Sequence, residues 1–163
     1  MKYQDFSLLK QEWTLPCCLQ TIIKIRRHEE PCQEEIAERI GVTLDGFVDL
    51  RRLDNFLSTQ GFSLRYENAN QEDKTLFSLD MISSELASEK SVITCFNPKI
   101  VWPEKEFYVE SQYRIIDRCM AKFNNLFMRN FRDNPGWYVI KHDKLIEAMS
   151  VGSGQYGFYF IDE

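Results

Sequence analysis

After Pro16, apolar residues recur at positions 18, 22 and 25, with Leu19 and Ile23 widening the stripe, which predicts a helix with one buried face. Pro16 suits a helix start because its missing N–H would lack a partner there anyway. The helix runs to about His28 and stops before Pro31, since the residue preceding a proline avoids helical dihedrals. Residues 33–40 predict a second helix: acidic residues lead, Ile36, Ala37 and Ile40 face one way, and Gly41 ends it. A third covers roughly 45–60, striped by Leu50, Leu53 and Leu57, with Gly61 as the stop. Phe62–Tyr66 alternates as a strand does. Residues 1–10 are a lead-in carrying Phe6, Leu8 and Leu9 for packing.

The polar segment 67–74 predicts a loop, after which Ser78 caps a helix to about Glu89 with Leu79, Ile82 and Leu86 inward. Val92–Phe96 is a continuous apolar run, the pattern of a central strand. A long helix is expected around 110–130, where Tyr113, Ile116, Met120, Phe123 and Phe127 fall at three- and four-residue steps. Asp133–Gly136 is a turn. The remainder predicts strands at 137–141, 145–149 and 158–161, with a glycine-rich loop at 152–157. Helices first and a mostly antiparallel sheet afterwards make the fold class α+β.

At 163 residues the chain is expected to be one domain, large enough to bury a proper core. The net charge of −5 argues against a nucleic-acid partner, and no basic run exceeds Lys24–Arg27. No stretch approaches the ~20 apolar residues of a membrane span, and the first residues lack a signal peptide's apolar core. Five cysteines without framework spacing or a CxxC pair suggest neither disulfides nor structural zinc, and no cofactor is indicated. A reducing, cytoplasmic setting is the default expectation; delivery by a route without a cleaved signal stays open.

The candidate chemistry lies at the first predicted helix. Cys17 and Cys18 fall in its first turn, where backbone N–H groups and the helix dipole favour a thiolate, the nucleophilic form. Six residues upstream, Gln11 carries a side-chain amide able to donate to an oxyanion. The plainer reading is that both cysteines are small buried hydrophobes, as free cysteines usually are. The stripe at 18, 22 and 25 turns Cys18 toward the core and leaves Cys17 to face a cleft, so Cys17 is the candidate nucleophile. Such a thiol needs an imidazole within hydrogen-bond reach. His28 follows Cys17 by eleven residues on the same helix, about 16 Å along the axis, and cannot reach it. His142, the one other histidine, is therefore the candidate base.

Element order and local motifs resemble the papain-like cysteine peptidases, and within them the bacteriocin-processing (double-glycine-leader) family and its stand-alone relatives. Four pieces carry the resemblance: Gln11 with Cys17 six residues on, PCQEEIAERIGV, LRRLDNFLSTQGFSLRYE, and FSLDMISSELASEKSVITCFN. They span about residues 11–97, and on this comparison 99–134 looks like an insertion holding the long helix. The resemblance implies a Cys-His-Asp triad in which Cys17 attacks an acyl carbonyl, His142 moves the proton and Asp162 orients the ring. Gln11 would hold the oxyanion. The expected activity is hydrolysis of a peptide or related amide bond through a thioester, with a peptide or protein as substrate. Acyl transfer would use the same intermediate.

The family pattern also admits a second alignment. Its histidine often follows a glycine and opens a run of β-branched residues, and Gly136-Trp-Tyr-Val-Ile140 fits with Trp137 in the histidine's place. On that alignment the base is lost and the protein is an inactive module that binds a peptide.

Overall fold

The computed structural model describes residues 6–69, 78–150, 152 and 154–163. Three helices open the fold: α1 (Thr14–Arg27), α2 (Gln33–Ile40) and α3 (Leu50–Thr59). Strand β1 (Ser63–Asn68), helix α4 (Leu79–Ala87), strand β2 (Ser91–Phe96) and the single turn α5 (Pro98–Val101) follow. Then come β3 (Gln112–Met120), β4 (Asn125–Arg129), β5 (Trp137–Lys141), α6 (His142–Met149) and β6 (Gly157–Asp162). The helix ends follow the local chemistry. Asp49 caps α3 by accepting the N–H groups of Arg51 and Arg52, Ser78 caps α4 through Met81, and Gly41 closes α2 in the left-handed region at φ 68°.

All six strands form one sheet in the order β1-β6-β2-β3-β4-β5, and each neighbouring pair is antiparallel. Pairing fixes two ends. Phe96, Gln112, Arg129 and Gly157 lie toward one end; Ser91, Met120, Lys141 and Asp162 lie toward the other. Helix α1 packs on β3, with α2 against α1 and α3 against α2, while α4 covers β2 and β3. Helix α6 packs on β2 and β5 beside α5. The core between these layers is aromatic at its centre, where Phe96, Tyr113, Phe158, Tyr159 and Phe160 are essentially inaccessible. Gly157 is required where β6 meets β1, because a Cβ there would stand 2.0 Å from the Glu67 carbonyl oxygen.

Helices over the first half and an antiparallel sheet dominating the second make the α+β class expected. Two elements differ. The helix expected around 110–130 is the β3–β4 hairpin, so the supposed insertion supplies two of the sheet's middle strands. The three- and four-residue apolar steps there do not mark one face: Tyr113 and Ile116 are buried, yet Phe123 is 48% exposed. Tyr113, Ile115 and Ile116 are strand formers, and Asn124 at φ 52° makes the left-handed turn that reverses the chain. Conversely, the strand expected at 145–149 is helix α6. Leu145, Ala148 and Met149 sit at helical spacing and are fully buried. The loop expected over 67–74 and the start of the lead-in fall largely outside the described residues.

Candidate active site

The first turn of α1 is fastened to the beginning of β3. The Tyr113 backbone N–H donates to Thr14 Oγ1 at 2.9 Å, and the Cys18 thiol donates to the Tyr113 carbonyl at 3.4 Å. Cys18 belongs to the hydrophobic core, as the stripe predicts, and burial pushes its pKa well up. Cys17 faces the other way. Its thiol donates to the Phe6 carbonyl at 3.3 Å, and it is 0% exposed because the lead-in segment lies across it. Gln11 stands one short 3-10 turn before α1, and its side-chain oxygen accepts the Tyr108 N–H at 3.2 Å. The neighbouring Glu12 accepts the Tyr108 hydroxyl, a bond that raises the phenol's pKa. Gln11 and Cys17 are thus brought to the same helix start.

The remaining expected members are not brought there. The level of Cys17 on the sheet is that of Tyr113, at the start of β3. His142 follows β5, and its N–H donates to the Asn124 carbonyl at 2.8 Å, beside the far end of β3. Tyr113 and Met120 are seven residues apart, which places His142 about 23 Å along the sheet from the thiols. Asp162 also ends at the far edge, five residues past the Gly157 level, or about 17 Å. It is separated from His142 as well, since four strand spacings, about 19 Å, divide β6 from β5. The Cys17-His142-Asp162 constellation is therefore not assembled, because antiparallel register carries its members to opposite ends. His28 caps the far end of α1 at φ 59°, out of reach as the helix length requires. Trp137 does not take the base's place either: it lies on β5, half-exposed, with Nε1 donating to Asp117 at 2.8 Å.

Beside Cys18 the sheet presents Asn130, whose side-chain oxygen binds a buried guanidinium held by amides. Arg114 donates from Nε to Gln112 Oε1 at 2.9 Å and from Nη1 to Asn130 Oδ1 at 2.6 Å, with the Arg129 carbonyl at 3.3 Å. It stacks on the Phe131 ring at 4.8 Å and the Trp102 ring at 5.3 Å. All three acceptors are neutral. Burial lowers the Arg114 pKa to about 10, an effect partly offset by Cys18 and Cys17. Between Cys18, Thr21, Ile115, Asn130 and Phe131 the open volume is about 10 Å³, room for one water at most.

This set of groups offers donors and a positive charge to a carbonyl or an anion, and neither imidazole stands in it. Arginine remains charged, and amides have no basic nitrogen. Gln112, Arg114 and Asn130 escape the sequence reading because a helix was expected there. The available signal is the polar-apolar alternation Gln112-Tyr113-Arg114-Ile115, which is a strand pattern. Among the described residues no three His, Cys, Asp or Glu side chains gather as a metal site, and no helix is long and apolar enough to cross a membrane.

No family model matches the chain, and no curated protein matches it in sequence. In structure it is similar to the peptidase domain of Streptococcus ComA, a bi-functional ABC transporter involved in a quorum-sensing pathway. The TM-score is 0.61 at 11% identity, over 98% of this chain and 96% of that one. The chain therefore has the α+β, papain-like fold of that peptidase domain.

Proposed function

We propose that this protein is a papain-like module that binds an extended peptide without cleaving it. One observation carries this reading: β3, the strand fastened to the Cys17 helix start, presents Gln112 and Arg114, and both histidines stand elsewhere. A thiol at a helix start still needs a base to make the thiolate and to protonate the leaving amine. The peptide would be a protein segment or free peptide; the acidic chain is a poor match for nucleic acid.

A cysteine peptidase or acyltransferase acting through Cys17 is the second reading, favoured by the fold and by Gln11 and Cys17 meeting at one helix start. The two separate in a single assay. A library of unstructured peptides is incubated with the protein, and binding and cleavage are followed together by mass spectrometry. The binding reading expects retained, intact peptides and no acyl-thioester on Cys17. Cleavage abolished by Cys17→Ala would overturn it in favour of the peptidase.

A further inference from the structure

The segment lying over Cys17 is held as one strand holds another. Phe6 offers its carbonyl on one edge, to the Arg132 N–H at 3.2 Å and the Cys17 thiol at 3.3 Å. On the opposite edge the side-chain amide of Gln33 bonds two residues at once. It donates to the Ser7 carbonyl at 3.0 Å and accepts the Leu9 N–H at 3.1 Å. A carbonyl and an N–H two residues apart on one edge are what an extended chain shows a neighbouring strand. Gln33 thus does with its amide what a peptide group does in a ladder.

Gln33 is a helix residue only 2% exposed, and it is not there for packing. Its Nε2 also donates to Gln20 Oε1 at 2.8 Å, and Gln20 Nε2 donates to the Pro31 carbonyl at 2.8 Å. This buried relay fixes the amide's orientation and leaves one donor and one acceptor aimed at the groove. A buried amide that loses both partners is strongly unfavourable, so the groove is built to contain a backbone. The hydrogen bonds to residues 6, 7 and 9 are mostly to main chain; Ser7 Oγ to Asp133 at 3.0 Å and the Arg132 guanidinium over the Phe6 ring at 5.6 Å are the side-chain contacts. The Leu9 side chain points into solvent. Recognition of that kind tolerates many sequences.

We infer that Gln33, the Arg132 N–H and Cys17 form a main-chain-reading groove, filled in cis by residues 6–9 and open to an extended peptide in trans when that segment leaves. The inference rests on the reading of this fold as a peptide-binding module and names how its site is occupied and regulated. Residues 6–9 act as a strap: while they are seated, Cys17 is inaccessible, and an incoming peptide must displace them.

The test uses the full chain and iodoacetamide labelling of each cysteine, read by mass spectrometry. In the native protein Cys17 should label as slowly as Cys18. Leu9→Pro deletes the N–H that Gln33 accepts, and Gln33→Met removes the amide at nearly constant shape. Each should raise Cys17 labelling tenfold or more while Cys18 stays slow. A synthetic peptide of residues 4–10 in excess should protect Cys17 again in the Leu9→Pro chain, but not in Gln33→Met. Unchanged Cys17 labelling in both variants, a parallel rise at Cys18, or no protection by the peptide would overturn the groove. Protection accompanied by cleavage of the peptide would establish the groove and overturn the non-hydrolytic reading, so the two failures are distinct.

Discussion

The two ends of the sheet differ in the kind of polar group they contain. Around Cys17, polar groups are buried and bound: two thiols donate to carbonyls, Arg114 is shared among three neutral acceptors, and Gln33 grips a backbone. At the opposite end, Lys141, Asp162 and Glu163 stand in solvent, and His142 is only half-buried. The His142 imidazole is thus away from the groups placed to hold a ligand. A protein can contain every residue type of a catalytic triad and lack the triad, because reactivity depends on which ends the register brings together.

If this contrast is correct, substitutions at the Cys17 end should be costly and those at the other end nearly silent. The largest effect is expected at Gly157→Ala, where a Cβ would press on the Glu67 carbonyl and part β6 from β1. The loss of unfolding free energy should be about 3 kcal/mol in urea titration. A loss below about 1 kcal/mol would mean that the ladder yields there.

Arg114→Ala should cost about 2 kcal/mol, since it strips a donor from Gln112, Asn130 and the Arg129 carbonyl and removes the stacked stem. Arg114→Lys should restore little, because an ammonium cannot reproduce the planar fork. Full recovery in the lysine variant would show that charge alone matters at this position.

Acidity gives a third contrast. Cys18 has its folded-state pKa raised by burial, so it holds its proton when an unfolded thiol, near ~8.5, has lost it. Its contribution to stability is therefore complete below about pH 8.5 and is lost as pH rises, at up to about 1.4 kcal/mol per pH unit. Urea titrations between pH 7.5 and 10 should show this decline, and Cys18→Ala should make it shallower, with Cys95 supplying part of what remains. An equally steep decline in the variant would assign the effect to other buried groups such as Cys95 or Tyr113, whose pKa values burial also raises.

The smallest effect belongs to His142→Ala. It should change stability by less than about 0.5 kcal/mol and leave the pH dependence of Cys17 alkylation unmoved. A shift in that profile would place the imidazole in contact with the thiol and break the comparison.

How much of this was legible depends on how local each signal is. Helices α1 to α4 and strand β2 follow from stripes, caps and stops that neighbouring residues set among themselves. The opposed faces of Cys17 and Cys18, and the failure of His28 to reach, follow from helix geometry alone. The β3–β4 hairpin did not follow, because its apolar residues satisfy helical and strand spacing at once and pairing across the sheet decides between them. Once that hairpin is a pair of interior strands, Asn130 arrives beside Cys18 with Arg114 and Gln112 bound behind it, and His142 is carried away.

By itself the sequence determined the α+β order, the placing of Gln11 and Cys17 at one helix start, and the family pattern that this order resembles. These depend on residues within a turn or two of each other, where dihedral preference and periodicity act directly. Only the tertiary structure decided what faces Cys17. A strand's side chains become neighbours of a distant helix through hydrogen-bond register, and register is fixed by the burial of the whole sheet, not by any local run of residues.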